Sequence, residues 1–212
     1  MKYLVLFFFA SLFASCASLS VPSTGFLKDR EQLTRNTDHE VWGIPDEVEL
    51  YVSSDLDASN YDSVWVEETV YRPNANPAYE PTPEAIDGLR ADFTERLGNA
   101  LGQDFQLVDQ PGPRTLRVRA AIAEVACERV WLNIIGVIAI LPVSMGGISG
   151  QIEIIDSQSG KRLIAMAAHR DGSPFLVLEC FSKYAHARWG MRKWSSKMRA
   201  ILEQSRAVPI AE

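Results

Sequence analysis

Histidine and cysteine are the side chains most often used for metal binding and nucleophilic catalysis, and this chain has only three of each. No histidine has the partner four residues away, or the neighbouring glutamate, that a helical zinc site requires; they are His39, His169 and His186. The sequence contains no Gly-x-Ser-x-Gly motif and no phosphate-binding loop. Its many carboxylates show no spacing that selects a pair for acid–base chemistry. We therefore predict no catalytic residue, no metal and no cofactor.

The amino terminus has the pattern of a bacterial export signal. Lys2 is followed by an almost entirely apolar run up to Phe13, and small residues then lead to Cys16. This run is too short for an ordinary membrane span of ~20 residues. The four residues FASC that end at Cys16 resemble the lipobox of bacterial lipoproteins, although the usual leucine is displaced by one position, to Leu12.

The lipobox resemblance implies that residues 1–15 are a signal peptide and that Cys16 carries a diacylglyceryl thioether. It also implies acylation of the new amino terminus, for example with palmitate. Several acyl chains make a stable anchor, because each buried CH₂ contributes ~0.8 kcal/mol. The residue after Cys16 is Ala17 and not Asp. This resembles the signal that sorts lipoproteins to the periplasmic face of the outer membrane. The alternatives are an ordinary signal cleaved after Ala17, which releases a soluble periplasmic protein, and an uncleaved anchor.

The other two cysteines, Cys127 and Cys180, form an even pair in a chain expected in the oxidising periplasm. A disulfide between them is the favoured prediction, and it would contribute ~4 kcal/mol in the chain-entropy model. The alternative is two separate thiols that are buried and inert.

Two stretches offer surfaces for a partner. Arg117 and Arg119 alternate with apolar residues and follow Arg114, so their guanidinium groups are candidates for contact with acidic groups or lipid phosphates. The alternative is a solvated face that nearby carboxylates balance. The most apolar internal run, residues 130–148, includes Ile138 and is broken by proline and glycine. This run is either exposed to a membrane or partner, or buried against the sheet.

The composition is that of one ordinary folded domain. Of the 212 residues, 47% are hydrophobic and 23% are charged. The net charge of −6 argues against non-specific nucleic-acid binding, because the phosphate backbone repels acidic proteins. We predict a lipid-anchored tether and loop-rich approach at residues 16–60, a single domain at 61–206 and a tail at 207–212. Within the approach, Phe26, Leu27 and Leu33 are expected to pin the chain onto the domain.

Periodicity and turn residues predict the elements of that domain. Residues 61–71 are rich in β-branched and aromatic side chains and predict a strand. Thr82, an N-cap before Pro83, begins an amphipathic helix of about twenty residues that stops at Gly102. Further strands are predicted at residues 105–109, 115–126, 151–156 and 162–169, the last two as a hairpin, and a second helix at 183–206. This order predicts an α+β fold with a mostly antiparallel sheet and helices packed on one face.

Several of these segments resemble the motifs of a known family. Residues 24–29 (TGFLKD) resemble its opening motif, residues 111–122 its central strand and residues 154–160 its hairpin. The last helix is matched at Trp189, Trp194 and Arg199, and departs from the usual pattern at Ser195. The chain is thus similar, over residues 22–203, to the bacterial lipoprotein family called domain of unknown function 3313. The resemblance implies an envelope lipoprotein and supplies no catalytic residues.

The sequence therefore predicts an outer-membrane lipoprotein that binds or helps to assemble an envelope partner without turnover. Its expected partners are the membrane, through the lipid, and an envelope protein, with no nucleic acid. A periplasmic enzyme with an unrecognised site is the alternative class. An enzyme predicts one deep pocket with convergent polar groups, whereas a binding module predicts a broad apolar or charged surface.

Overall fold

The computed structural model describes residues 24–38, 46–73, 80–126, 147–171 and 184–207. Two helices, α1 (Pro83–Leu101) and α2 (Ala185–Ala207), accompany eight strands. The strands are β1 (Thr34–Asp38), β2 (Asp46–Val52), β3 (Ser63–Val66), β4 (Val70–Tyr71), β5 (Gln106–Leu107), β6 (Thr115–Ala126), β7 (Gly147–Asp156) and β8 (Arg162–Asp171). None of the helices in these ranges is long and apolar enough to cross a membrane.

The strands form one open sheet in the order β1-β2-β8-β7-β6-β3-β5, and β4 also pairs with β6. The long ladders from β1 to β6 are antiparallel. The short strands β3, β4 and β5 instead run parallel to their neighbours. The α+β fold and the mostly antiparallel sheet are confirmed, and the sheet is mixed.

The parallel pairs arise from a helical crossover. A parallel neighbour requires a connection of a dozen residues or more, usually a helix. Here α1 carries the chain from β3 and β4 back to β5 and β6. The predicted strand at residues 61–71 is interrupted at residues 67–69, so the structure has β3 and β4 in its place.

The helix α1 begins and ends where the sequence predicts. Thr82 is its N-cap, with Oγ1 accepting from the Ala85 N–H at 3.4 Å, and Pro83 occupies the first turn. The helix ends at Leu101, and Gly102 is its C-cap. Its apolar stripe is buried in the core: Ile86, Leu89, Phe93, Leu97 and Leu101.

The helix α2 packs beside α1 and against β7 and β8, so both helices cover the same face of the sheet. Trp194 is only 1% exposed, and its ring centroid lies 6.2 Å from that of Phe93. The indole is seated on Gly150 of β7, where a Cβ atom would lie 2.8 Å from the indole Cζ3. A glycine is therefore needed at this position for the helix to approach the sheet.

One prediction about the amino-terminal half is wrong. Residues 16–60 were expected to be loop-rich, whereas β1 and β2 lie in this stretch and complete one side of the sheet. The strand β2 pairs with β8 over six positions, and its Val48 is buried in the core. The sheet therefore begins before residue 61. The predicted anchoring by Phe26, Leu27 and Leu33 is confirmed, because they pack with Tyr51 and two alanines of β8.

The carboxylate of Asp156 holds the turn of the hairpin between β7 and β8. The Asp156 carboxylate accepts from the Gln158 and Ser159 backbone N–H groups and from the Ser159 hydroxyl. These hydrogen bonds hold the pKa of Asp156 below its usual value. Gly160 follows with a φ of 70°, which favours glycine, and returns the chain into β8.

Candidate binding site on the open face of the sheet

The segment from Thr24 to Leu33 lies across the face of the sheet that the helices leave open. Leu27 is buried there against Ala165 and Ala167 of β8. These small side chains allow the segment to approach the strand closely, so the burial of Leu27 fixes its position.

Polar contacts hold the first turn of this segment. The Thr24 hydroxyl donates to Gln151 Oε1 at 2.7 Å, and Gln151 is only 1% exposed. Gly25 has a φ of 71° and Asp29 a φ of 50°, both in the left-handed region. The TGFLKD motif is thus a bent strap, with glycine at one of its two left-handed positions.

An ionic cluster lies beside the strap on β6, β7 and β8. The Glu153 side chain is 7% exposed and accepts from Arg119 Nη1 at 3.0 Å and from Arg162 Nε at 2.7 Å. Arg119 and Glu153 are direct cross-strand partners. The Arg119 guanidinium also lies 5.1 Å from the centroid of the Phe26 ring, which joins the cluster to the strap.

The neighbouring Arg117 is paired in the same way. It binds Glu67, and its guanidinium lies 5.0 Å from the centroid of the Trp65 ring. Both predicted contact arginines therefore lie on the open face and are about one-third exposed. Arg114 does not continue this row, because it forms an ion pair with Asp62 at the start of the strand.

The strap, the ionic cluster and the hairpin enclose a cavity of about 710 Å³. Among the described residues, four cationic side chains and two carboxylates line it, so this lining carries a net positive charge in an acidic protein. The lining residues are Thr24, Gly25, Phe26, Lys28, Asp29, Gln32, Arg72, Arg119, Glu153, Ile155, Gly160 and Arg162.

The described lining consists mainly of charged and polar side chains. Among these residues there is no serine, cysteine or histidine, and the one hydroxyl group, that of Thr24, donates to the Gln151 amide oxygen. The Glu153 carboxylate is already ion-paired with two guanidinium groups, those of Arg119 and Arg162. Within the described ranges, no group of three His, Cys, Asp or Glu side chains could hold a metal ion.

A Ser–His–Asp chain does occur elsewhere on the sheet. Ser149 Oγ lies 2.6 Å from His169 Nδ1, and His169 Nε2 lies 3.1 Å from Asp171 Oδ1. His169 and Asp171 lie two residues apart on β8, and Ser149 reaches them only through the pairing of β7 with β8, which local sequence does not reveal. Ser149 is 0% exposed, so its hydroxyl has no access to a substrate, and the chain ties the strands together.

The remaining histidine of the described ranges is part of the core. His186 lies at the start of α2 and is 3% exposed. Burial, together with the charge of Arg170, lowers the pKa of His186, so it stays neutral at physiological pH. The position of His39 and of the candidate site residues Cys16, Cys127, Ile138 and Cys180 lies outside the described residues.

Four charged residues of the cavity were not among the predicted site residues, namely Lys28, Arg72, Glu153 and Arg162. Glu153 carried a visible signal, since it is the one carboxylate inside the otherwise uncharged stretch QIEII of β7. The other three come from separate segments and become neighbours only in the folded chain.

A family model described as "Protein of unknown function (DUF3313)" matches residues 22–198, which include the strap and the whole cavity lining. The chain belongs to the DUF3313 family. The predicted family resemblance is thereby confirmed. No curated protein matches this DUF3313 chain in sequence.

Solved structures resemble the DUF3313 chain in outline. A dodecamer of a PelC point variant from Paraburkholderia phytofirmans is 15% identical, with 73% of this chain and 97% of that chain covered and a TM-score of 0.46. A hypothetical protein from Chlamydia trachomatis is 12% identical, with coverages of 68% and 99% and a TM-score of 0.38. A DUF330 protein from Xanthomonas campestris is 5% identical, with coverages of 73% and 90% and a TM-score of 0.42. We draw no functional conclusion from likenesses at this level.

The disulfide stays a prediction, and the described strands are compatible with it. Ala126, Gly147 and Asp171 are successive partners across β6, β7 and β8, so the ends of β6 and β8 are ~10 Å apart. Cys127 directly follows Ala126, and Cys180 lies nine residues beyond Asp171, which is ample reach for a bond that needs Cα atoms ~5.5 Å apart.

We expect non-reducing peptide mapping of the exported protein to recover one linked peptide that contains Cys127 and Cys180. Reduction should then lower the midpoint of chemical unfolding, because the link removes ~4 kcal/mol of unfolded-chain entropy. The same mapping on a Cys180→Ser variant is the control, in which the linked peptide disappears. Two alkylatable thiols in the exported wild-type protein would contradict the prediction.

Proposed function

We propose that this DUF3313 protein is a lipid-anchored protein of the outer membrane, facing the periplasm, that binds a ligand or partner on its open sheet face without turnover. The observation that carries the proposal is the cavity under the strap, whose described lining carries a net positive charge. A concave site of this kind is suited to holding an anionic ligand.

The position of the strap relative to the expected anchor supports the membrane part of the proposal. Thr24, which begins the strap, is eight residues after Cys16. A fully extended chain spans at most ~3.5 Å per residue, so the cavity lies within ~28 Å of a lipidated Cys16. The tether would thus keep the open face near the membrane surface and raise its local concentration for partners on the same membrane.

Contacts within the open face hold the side chains of the site in place before a ligand binds. Arg119 and Arg162 are held by one buried carboxylate, and the strap is pinned by Leu27. Less side-chain freedom is therefore lost when a ligand binds.

One experiment tests the anchor and the face together. A photo-cross-linking residue replaces Gln32, which is exposed in the cavity lining, in the full-length chain expressed in cells. We expect the protein in the membrane fraction, with adducts at this position. The matched position is Asn99, which is exposed on α1, on the other side of the sheet, and should give none.

The anchor is tested by Cys16→Ser in the same cells. We expect this variant to leave the membrane fraction, because it removes the thioether, and to lose most of the Gln32 adduct. The control is the double variant Cys127→Ser and Cys180→Ser, which removes the other two thiols and should stay in the membrane fraction. Membrane retention of Cys16→Ser with unchanged processing would refute the anchor, and equal adducts at Gln32 and Asn99 would refute the face.

A further inference from the structure

We propose that the cavity under the strap is a binding site for a terminal phosphate group, carried by a lipid headgroup or by a small phosphate monoester. The inference deepens the proposed function and rests on it for the location beside a membrane. The site is the cavity of about 710 Å³ between the strap and the strands β6, β7 and β8.

Charge is the first argument. The chain as a whole carries −6, yet Lys28, Arg72, Arg119 and Arg162 converge on one cavity whose described lining has only two carboxylates. The lining is therefore positive by two charges, which matches the charge of about −1.5 to −2 on a phosphate monoester near pH 7. A concave site of one sign concentrates the opposite ion against the general repulsion of the protein.

The second argument is that two of these cations have no partner among the described residues. Lys28 and Arg72 are exposed, and within the described ranges neither side chain forms an ion pair or hydrogen bond. They come from the strap and from the end of β4, so they reach the cavity from two different segments. A structural role in holding these segments together would require partners for them.

The third argument is geometric. Arg119 and Arg162 each give one close N–H to Glu153, and Arg119 Nε also lies 3.7 Å from Glu67 Oε2. Each guanidinium carries five N–H donors and therefore keeps others for a ligand. Held in this way, they present forks of the type that bind phosphate oxygens in pairs. The Phe26 ring and Ile155 supply an apolar wall beside them. The cavity is much larger than one phosphate ion, so it has space for the glycerol or sugar that carries the phosphate.

The test uses the full-length lipidated protein in phosphatidylcholine nanodiscs. Calorimetric titration is carried out with inorganic phosphate and with glycerol 3-phosphate, and thermal unfolding is compared in discs with and without phosphatidic acid. We expect saturable binding of at least one probe with Kd below about 1 mM, or a rise in Tm with phosphatidic acid. Binding of the soluble probes identifies a free phosphate compound, whereas an effect of phosphatidic acid alone identifies a lipid headgroup.

The variants separate a built site from general attraction. Lys28→Gln and Arg72→Gln should each weaken binding about tenfold, the effect expected for one charge-assisted contact. The matched control is Arg192→Gln, an exposed cation on α2 at the opposite face, which should change Kd less than about twofold.

The proposal falls if no phosphate probe binds or stabilises the protein, or if Arg192→Gln weakens binding as much as Arg72→Gln. If no phosphate probe binds but the Gln32 adduct still forms in cells, only the phosphate assignment is refuted. Binding of a partner at the open face would then stand. If phosphate binds in nanodiscs but no Gln32 adduct forms in cells, the phosphate site stands and the proposed cellular role is refuted.

Discussion

Replacing Glu153 with alanine is expected to lower the free energy of unfolding by about 3 kcal/mol, because it leaves a largely buried guanidinium unpaired. Arg162 is only 15% exposed and Glu153 is its ion-pair partner at 2.7 Å. Arg119, the second partner, is 36% exposed, so water solvates its guanidinium and offsets part of the loss of the carboxylate. Urea unfolding measures the effect.

The control for Glu153→Ala is Asp62→Ala. Asp62 also forms an ion pair with an arginine, Arg114, but its side chain is 67% exposed. We expect this exposed pair to be nearly dispensable, so the urea midpoint of Asp62→Ala should stay close to that of the wild type. Similar midpoint losses in both variants would show that the burial of Glu153 does not set its importance.

The cluster also bears on the two arginines predicted as partner contacts. Arg119 is paired with Glu153 and Arg117 with Glu67, so reversing their charges would place like charges side by side on the open face. Reversal there disturbs folding as well as any contact. Neutral changes at Lys28 and Arg72, which hold no such pair in the described ranges, are the sharper probes of the same face.

Truncation of Trp194 to alanine is expected to cost about 3–5 kcal/mol, since it removes a fully buried indole between the two helices and the sheet. Phe93 on α1 and Gly150 on β7 are its neighbours. Chemical unfolding should show an earlier midpoint with an unchanged slope if the loss is one of packing.

A double-mutant cycle between Trp194 and Gly150 tests whether contact with the indole is what requires a glycine at position 150. Gly150→Ala alone should destabilise the protein by about 1–3 kcal/mol, because the added Cβ would lie 2.8 Å from the Trp194 Cζ3 atom. In the Trp194→Ala protein the same change should cost clearly less. Additivity within about 0.5 kcal/mol would mean that the two residues do not constrain each other.

The local elements were predictable because short-range rules govern them. The cap at Thr82, the proline at Pro83 and the apolar spacing give α1 its start and its buried face. Alternation over residues 116–120 and the apolar residues that follow give β6 its predicted bounds, Thr115–Ala126. In each case residues close to one another in sequence decide the conformation.

The missed strands show where local rules fail. The strand β1 is entirely polar (TRNTD), so no hydrophobic pattern marks it, and only its antiparallel pairing with β2 makes it a strand. The strand β2 does alternate, with Val48, Leu50 and Val52 on one side, yet it lies between segments typical of loops. Edge strands depend on their neighbour for hydrogen bonds, and a sequence pattern does not reveal that neighbour.

The sequence by itself determined the family, the α+β class, the helix bounds and the candidate anchor at Cys16, all of which rest on motifs or on local periodicity. Only the tertiary structure decided that Arg119 and Glu153 face each other and that Lys28 and Arg72 open onto the same cavity. These residues are separated by tens of positions. Strand register places Arg119 opposite Glu153, whereas the packing of the strap against β8 brings Lys28 to the cavity. A shift of one residue in that register would move the side chains of a strand to its opposite face, so the site exists only where the sheet has formed.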